Sequence, residues 1–287
     1  MHYKKVKSIL STKDRMNLYR GCTHGCIYCD SRSTCYQIKH EFEDVEIKEN
    51  AIELLENTLF KKRKKSMIEM GSMTDPYLPI EKTVCHTRQA LETIYKHGFG
   101  VSLITKSDLI LRDVDILKKI NERSKCVVQI TITTIDDSLC KIIEPNVAIT
   151  SKRMKVLEIM QKENIPTVVW LTPILPYIND TEENITRIID KCIEYGVKGI
   201  MCFNIGLTLR EGNREYFYSQ LDKNFPGLKQ KYINMYGNNY IIESKNNQKL
   251  MNIFIKKCRE NNIMYDTNQI FEYLHHMEEK EKQLSLF

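Results

Sequence analysis

Three cysteines fall within one short stretch, Arg20-Gly21-Cys22-Thr23-His24-Gly25-Cys26-Ile27-Tyr28-Cys29-Asp30. Their C-x₃-C-x₂-C spacing lets three thiolates hold three corners of a cubane iron–sulfur cluster, whereas a fully ligated cluster takes four cysteines. A fourth iron without a protein ligand is open to a small molecule, so such a centre performs chemistry as well as storing electrons. Gly21 and Gly25 allow the loop to turn tightly around a bulky group. Zinc is the competing reading. It asks for four ligands, often supplied in C-x₂-C pairs. His24 would have to serve as the fourth, and it lies inside the loop, where its reach is poor.

Something must position this loop, and the pattern downstream supplies it. Short apolar runs read as strands at Met67–Met70, Val101–Thr105, Val127–Thr134, Thr167–Leu171 and Gly199–Asn204, with Asn17–Arg20 as a sixth just before the cysteines. Between them, Lys48–Phe60, Val84–Lys96, Leu109–Asn121, Ser151–Glu163 and Thr181–Tyr195 read as helices. Gly98 stops the second of these, Ser151 is the expected cap of the fourth, and Asp180 or Thr181 that of the fifth. Strands alternating with helices imply right-handed βαβ units and a parallel sheet. Six units give an α/β partial (β/α)₆ barrel, short of the eight that close one. Reactive groups in such folds gather at the carboxyl ends of the strands, which is where the cysteine loop begins.

The expected organisation is an N-terminal segment (1–13), the partial barrel (14–206), a small α+β extension packed on it (207–277) and a charged tail (278–287). In the extension, 210–222, 248–260 and 267–277 read as helices, and Tyr240–Ile242 and Ile263–Tyr265 as short strands.

Cys22, Cys26 and Cys29, with Tyr28 between the last two, resemble the signature of the radical S-adenosylmethionine superfamily. The resemblance implies a [4Fe–4S] cluster whose open iron binds S-adenosylmethionine, an electron donor for that cluster, and a 5′-deoxyadenosyl radical as product. Tyr28 would lie against the adenine. A narrower likeness, to the spore photoproduct lyase-like branch, rests on several pieces in order. These are Gly71-Ser72-Met73-Thr74-Asp75-Pro76-Tyr77, Ile104-Thr105-Lys106-Ser107 with Leu111-Arg112-Asp113, Glu144-Pro145, and Pro173-Ile174-Leu175-Pro176 with Asn179-Asp180.

That likeness implies further roles. Ser72 and Thr74 would hold the methionine amino group, with Lys106 close to the cofactor. Arg153 would pair with the methionine carboxylate, a shape guanidinium suits. Glu144 and Asp75 are the acidic candidates for the amino group or ribose, although Asp75 can instead close a turn with Pro76. Cys35, Tyr77, Tyr177 and Tyr232 are candidates for hydrogen transfer, stacking or radical relay. One departure limits the likeness. The lyase's second-strand loop carries a hydrogen-donating cysteine, and Met73 stands there instead. A thioether has no hydrogen to give, so the lyase reaction itself is not expected.

The bulk numbers are ordinary for a soluble globular protein. The chain has 287 residues, 42% of them hydrophobic, and a net charge of +6 that permits an acidic partner such as DNA without requiring one. No apolar run approaches a membrane span, and the polar start does not read as a signal peptide, so the expected location is the cytoplasm. Of the ten cysteines, Cys126 and Cys202 sit in apolar runs and read as core. The run Lys61–Lys65 reads as a solvated helix end.

The chain ends in Gln283-Leu284-Ser285-Leu286-Phe287. This resembles the peptide with which bacterial repair and replication proteins dock on the DNA polymerase sliding clamp. Leu284, Leu286 and Phe287 would be apolar anchors on a polar tether. The combined expectation is a radical enzyme acting on DNA and brought there by the clamp. The alternatives are a radical enzyme for a protein, peptide or small molecule, and a non-catalytic metal-binding clamp adaptor. Deleting Gln283–Phe287 is expected to abolish retention on an immobilised clamp while leaving iron content unchanged; undiminished retention would refute the docking role.

Overall fold

The computed structural model describes residues 1–277; Gln283–Phe287 lie outside the described residues. The chain opens with β1 (His2–Lys4), β2 (Arg15–Met16) and β3 (Tyr19–Arg20), and after the cysteine loop come β4 (Glu46–Lys48) and α1 (Ala51–Lys61). Then follow β5 (Met67–Met70), α2 (Glu81–Val84), α3 (His86–Lys96), β6 (Gly100–Thr105), α4 (Val114–Arg123), β7 (Cys126–Thr131), α5 (Asp137–Ile143), α6 (Thr150–Lys162), β8 (Thr167–Trp170), α7 (Glu182–Glu194) and β9 (Gly199–Met201). One parallel sheet runs β2-β5-β6-β7-β8-β9. This is the partial six-stranded barrel that the alternation implies.

The first strand differs from expectation. Arg15–Met16 pairs with β5, whereas Tyr19–Arg20 belongs to a separate sheet, β1-β4-β3, in which β4 runs antiparallel to β3. Both pieces are too short for a period-2 signal to separate them. The cap of α6 differs as well. Ile149 occupies the cap position, and Ser151 instead bonds Asp137 through its amide and hydroxyl at 2.8 and 2.6 Å. Thr181 caps α7 by accepting from the Asn184 amide at 3.1 Å.

Packing follows the pleat. Ile68, Val128, Val169 and Ile200 point to one side of the sheet and join Leu55, Leu91, Leu117 and Ile188 of the surrounding helices in the main core. Each fully buried side chain of this kind contributes about 1.5–3 kcal/mol. Met67, Val127, Val168 and Met201 point to the other side.

Beyond β9 the chain forms β10 (Gly206–Thr208), α8 (Asn213–Asn224), α9 (Leu228–Tyr236), β11 (Ile241–Glu243), α10 (Asn247–Glu260) and α11 (Thr267–His275). Ile270 and Leu274 of α11 cover the Met67–Val127 face, α10 packs on α7, and β10 pairs with β11. Phe217 and Tyr232 share a cluster with Cys26, Ile27 and Tyr28, so the extension's core is continuous with the cysteine loop. Among the described residues no helix is long and apolar enough to cross a membrane.

A buried polar network ties β3, α2 and the start of α4. Glu81 accepts from Tyr19 Oη and from the Thr87 amide, and Asp113 accepts from Tyr77 Oη at 3.1 Å. Both carboxylates pair with Arg112, at 3.2 and 2.8 Å. Arg112→Ala would leave buried Glu81 without a cation and Asp113 with only Arg88 at 3.6 Å, a loss of about 3–5 kcal/mol; Tyr77→Phe removes one hydrogen bond, worth about 1 kcal/mol. Urea unfolding of the two variants is expected to give that order.

Candidate active site

The cysteine loop has almost no secondary structure of its own and borrows its shape from neighbours. Cys22 N–H donates to Phe42 O at 2.8 Å. Gly21 has φ +83°, and a Cβ there would lie 2.5 Å from the same carbonyl, so only glycine fits. Ile27 N–H donates to Ile143 O and Asn146 N–H to His24 O, at 3.0 and 3.1 Å. Gly25, at φ +70°, lets the loop pass Pro145, whose Cγ would be 3.1 Å from a Cβ. The Glu144-Pro145 motif therefore acts as a splint under the cysteines.

Cys22, Cys26 and Cys29 line one cavity of about 260 Å³ at the carboxyl ends of the strands, with Ser72, Met73, Thr74, Asp75, Thr105, Lys106 and Trp170. Burial, and then the neighbouring Cys29, push the Cys22 thiol up to about 12. Burial likewise raises Cys26. Thiols that resist ionising alone become good ligands once a metal's charge compensates them. The donor set therefore fits a cluster of several irons: three sulfurs spread around a cavity. Among the described residues, three or more His, Cys, Asp or Glu ligand atoms gather within 4.8 Å of one another only at His2, His40 and Glu46. His24 is buried with Nδ1 3.5 Å from Asp75 Oδ2, which ties it to that carboxylate.

The other expected residues divide into those that face the cavity and those that hold it. Ser72 and Lys106 line both the thiol cavity and a larger one that continues from it. Burial disfavours the Lys106 charge, but Cys26, Glu144, Cys29 and Asp75 outweigh that and raise its pKa. Thr74 reaches the thiol cavity. Asp75 takes the turn-forming role. It accepts from Tyr77 N–H at 2.8 Å, Thr105 Oγ1 at 2.6 Å and Lys106 N–H at 2.8 Å, so its oxygens clamp the loops after β5 and β6.

Arg153 and Glu144 lie behind the cavity walls and are bonded to each other. Neither lines either cavity. Arg153 is fully buried, ion-paired to Glu144, and donates to Thr131 O at 2.6 Å and Cys140 Sγ at 2.9 Å. Burial opposes ionisation of Glu144, yet Arg153 and Lys106 pull its pKa below the usual carboxylate value. The remaining Glu144 oxygen accepts the Tyr28 hydroxyl, which fixes the ring on the cavity wall.

The relay candidates also resolve. Tyr77 is buried on Asp113, Tyr232 donates to Pro176 O at 2.7 Å, and Tyr177 packs against Tyr232 beneath Lys231; none lines the cavities. Cys35 is exposed, outside both cavities, and accepts from Arg210 at 3.3 Å.

The larger cavity, about 690 Å³, holds residues that sequence patterns do not single out: Tyr36, Trp170, Phe203, Asn204, Tyr240 and Glu243. Trp170 Nε1 donates to Gln129 Oε1 at 2.7 Å, and Gln129 in turn donates to Ser102 Oγ at 2.7 Å, a polar chain that sets the indole. Phe203 and Tyr240 are large exposed aromatics, and the Phe203 ring meets Trp170 edge-on at 5.9 Å. Asn17 is another missed residue. Its Oδ1 accepts from the Met73 and Thr74 amides at 3.0 and 3.3 Å, which sets the loop after β5. A third cavity, about 410 Å³, shares Tyr36 and Met73 and carries Lys4, Arg20 and Lys48 against Glu46.

Comparison with known proteins agrees with this geometry. The sequence model of the Radical SAM superfamily matches residues 16–188. An uncharacterized protein of Methanocaldococcus jannaschii is 37% identical over 169 residues, 58% of this chain and 62% of that protein. One from Mycobacterium tuberculosis is 25% identical over 77% of this chain and 66% of its own length. The chain thus spans somewhat less than two thirds of these relatives. A spore photoproduct lyase variant superposes with TM-score 0.65 at 12% identity, over 91% of this chain and 79% of that one. A radical S-adenosylmethionine methyltransferase from Kitasatospora setae, with cobalamin and a [4Fe–4S] cluster bound, gives 0.51 at 13% identity, over 74% of this chain and 38% of that one.

The two roles considered for Arg153 predict different variants. Arg153→Ala should destabilise the fold by about 3–5 kcal/mol because it strands Glu144. The double change Arg153→Met with Glu144→Leu should regain most of that in urea unfolding. If Arg153 instead served only a ligand carboxylate, Arg153→Ala would leave the stability of the free protein nearly unchanged.

Proposed function

This chain belongs to the Radical SAM superfamily, and from that premise we propose that it is a radical enzyme that acts on DNA and is recruited by the sliding clamp. Members of this superfamily hold a [4Fe–4S] cluster and S-adenosylmethionine. When bound, this pair supplies a 5′-deoxyadenosyl radical that abstracts hydrogen from a substrate. Cys22, Cys26 and Cys29 would hold the cluster. Tyr28, Ser72, Thr74 and Lys106 would surround the cofactor, with Asn17 and Asp75 fixing the loops that carry them.

The observation that carries the substrate reading is the wall of the large cavity. Beside Cys26 and Cys29 it presents Tyr28, Trp170, Tyr36, Phe203 and Tyr240, and the adjoining cavity adds Lys4, Arg20 and Lys48. Planar bases stack on such aromatics, and phosphates pair with such cations. A base taken out of its stack can enter a pocket of this kind. Structures of spore photoproduct lyase with a dinucleoside spore photoproduct share the fold and support the same direction. Met73 lines the cavity near the thiols, so hydrogen return by a cysteine at that position is not part of the proposed reaction. Clamp recruitment is supported by the Gln283–Phe287 peptide alone.

Anaerobic reconstitution is expected to give about four irons per chain and reductant-dependent 5′-deoxyadenosine, both lost in Cys26→Ala. Single-stranded DNA should bind with a steep salt dependence. Tyr240→Ala or Phe203→Ala should each weaken binding by about 1–3 kcal/mol without loss of iron. Salt-independent binding, or affinity unchanged in both variants, would reject DNA and leave a protein, peptide or small molecule as substrate.

A further inference from the structure

We propose that His2, His40 and Glu46 form a second metal site, separate from the thiol cavity, that takes a single divalent cation of zinc-like chemistry. The three residues come from β1, from the segment between the cysteine loop and β4, and from β4. Register places His2 directly beside Glu46 across the parallel β1–β4 pair. One ligand atom from each of the three residues lies within 4.8 Å of the other two.

The imidazoles are already set for metal binding. His2 Nδ1 is 3.0 Å from Asp44 Oδ2, and His40 Nδ1 is 2.9 Å from Glu41 O. A carboxylate and a carbonyl only accept, so each ring carries its proton on Nδ1 and keeps its Nε2 lone pair free. His2 Nε2 lies 3.9 Å from Glu46 Oε2. His40 Nε2 is buried and has no hydrogen-bond partner. A buried acceptor left unpaired costs about 1–3 kcal/mol, and a cation on that lone pair would remove the cost. A metal-bound histidine with its other nitrogen on a carboxylate or a carbonyl is a recurring arrangement, and both versions stand here. The rings meet edge-on, with centroids 5.0 Å apart and planes at 86°.

Ligand chemistry selects the ion. Two imidazoles and a carboxylate suit zinc in a site that keeps one position for water, whereas calcium and magnesium prefer oxygen alone. Lys4 competes, since its Nζ is 2.8 Å from Glu46 Oε2. Its side chain is half exposed while Glu46 is buried, so Lys4 can swing into solvent once a cation takes its place on the Glu46 carboxylate. The site would brace the cluster loop. Phe42 O receives the Cys22 amide, and a Cβ on Gly21 would lie 3.6 Å from His40 Cε1. A cation holding His40 to β1 and β4 therefore fixes the segment that anchors the first cluster cysteine.

The test uses the untagged chain, cluster-loaded anaerobically so that the thiols are occupied, then equilibrated with zinc and freed of excess. The expected metal content is about one zinc per chain besides the cluster iron, with a nitrogen and oxygen shell at about 2.0–2.1 Å by X-ray absorption at the zinc edge. His2→Ala with His40→Ala should lose the zinc and keep the iron. Asp44→Asn, which leaves all three ligands in place, should weaken zinc binding about tenfold. A sulfur shell at about 2.3 Å, zinc retained by the double variant, or no zinc on iron-loaded wild-type protein would each overturn the proposal. If the double variant fails to fold, Asp44→Asn decides, and unchanged affinity there counts against the site. Failure to load iron would instead count against the cluster reading, because the zinc shell is read independently of it.

Discussion

The buried ion pair of Arg153 and Glu144 is the interaction on which the site depends. A buried pair is stable only when the remaining donors and acceptors are satisfied, and here the partners that satisfy it come from the pieces that must be joined. Arg153 in α6 reaches the last carbonyl of β7 and the Cys140 sulfur of α5, while Glu144 closes α5 and receives the Tyr28 hydroxyl. Residues 143–146 are thereby held against the strand ends. They can then act as a template for a cysteine loop that has almost no ladder of its own. The backbone bonds from Ile27 to Ile143 and from Asn146 to His24 carry that order into the loop. The thiols are thus positioned by an interaction that never touches them.

That arrangement explains which parts of the site were legible in the sequence. Cys22, Cys26 and Cys29 announce themselves because their spacing is itself the chemistry. The βα alternation is legible because β5 to β9 are nearly continuous apolar runs, buried on both faces as parallel strands must be. Arg153 and Glu144 were recognisable as important, but their role was not. Sequence shows a charge and not its partner, and a guanidinium that suits a ligand carboxylate suits Glu144 equally well. Asp75 was legible in both roles, and it closes the Pro76-Tyr77 turn while still lining the thiol cavity.

What the sequence hides is whatever depends on long-range pairing. The β1-β4-β3 sheet consists of pieces of two or three residues, too short for periodicity, and it joins β4 to strands whose paired residues lie 26 to 44 positions away. Asn17 looks like an ordinary strand-edge polar residue until Met73 and Thr74 are found bonded to it. The aromatic wall is hidden for the same reason. Trp170 ends β8, Phe203 follows β9 and Tyr240 precedes β11, so no window of sequence contains them together.

The division of that wall has a mechanical consequence. Its thiol end is built from the barrel, where strand ends and the buried Arg153–Glu144 pair leave little freedom. Its outer end is built partly from the extension, through Thr208, Tyr240, Ile241 and Glu243. There the polar contacts are peripheral: Arg210 links the exposed Tyr240 hydroxyl to Cys35 and Asp30. Exposed contacts of this kind are individually weak and open more readily than the core. The two ends therefore differ in stiffness. The rigid end suits a fixed cofactor geometry, where small displacements are costly, whereas the rim can yield to whatever enters the cavity without disturbing the thiols, because its polar contacts are not the ones that order the cysteine loop.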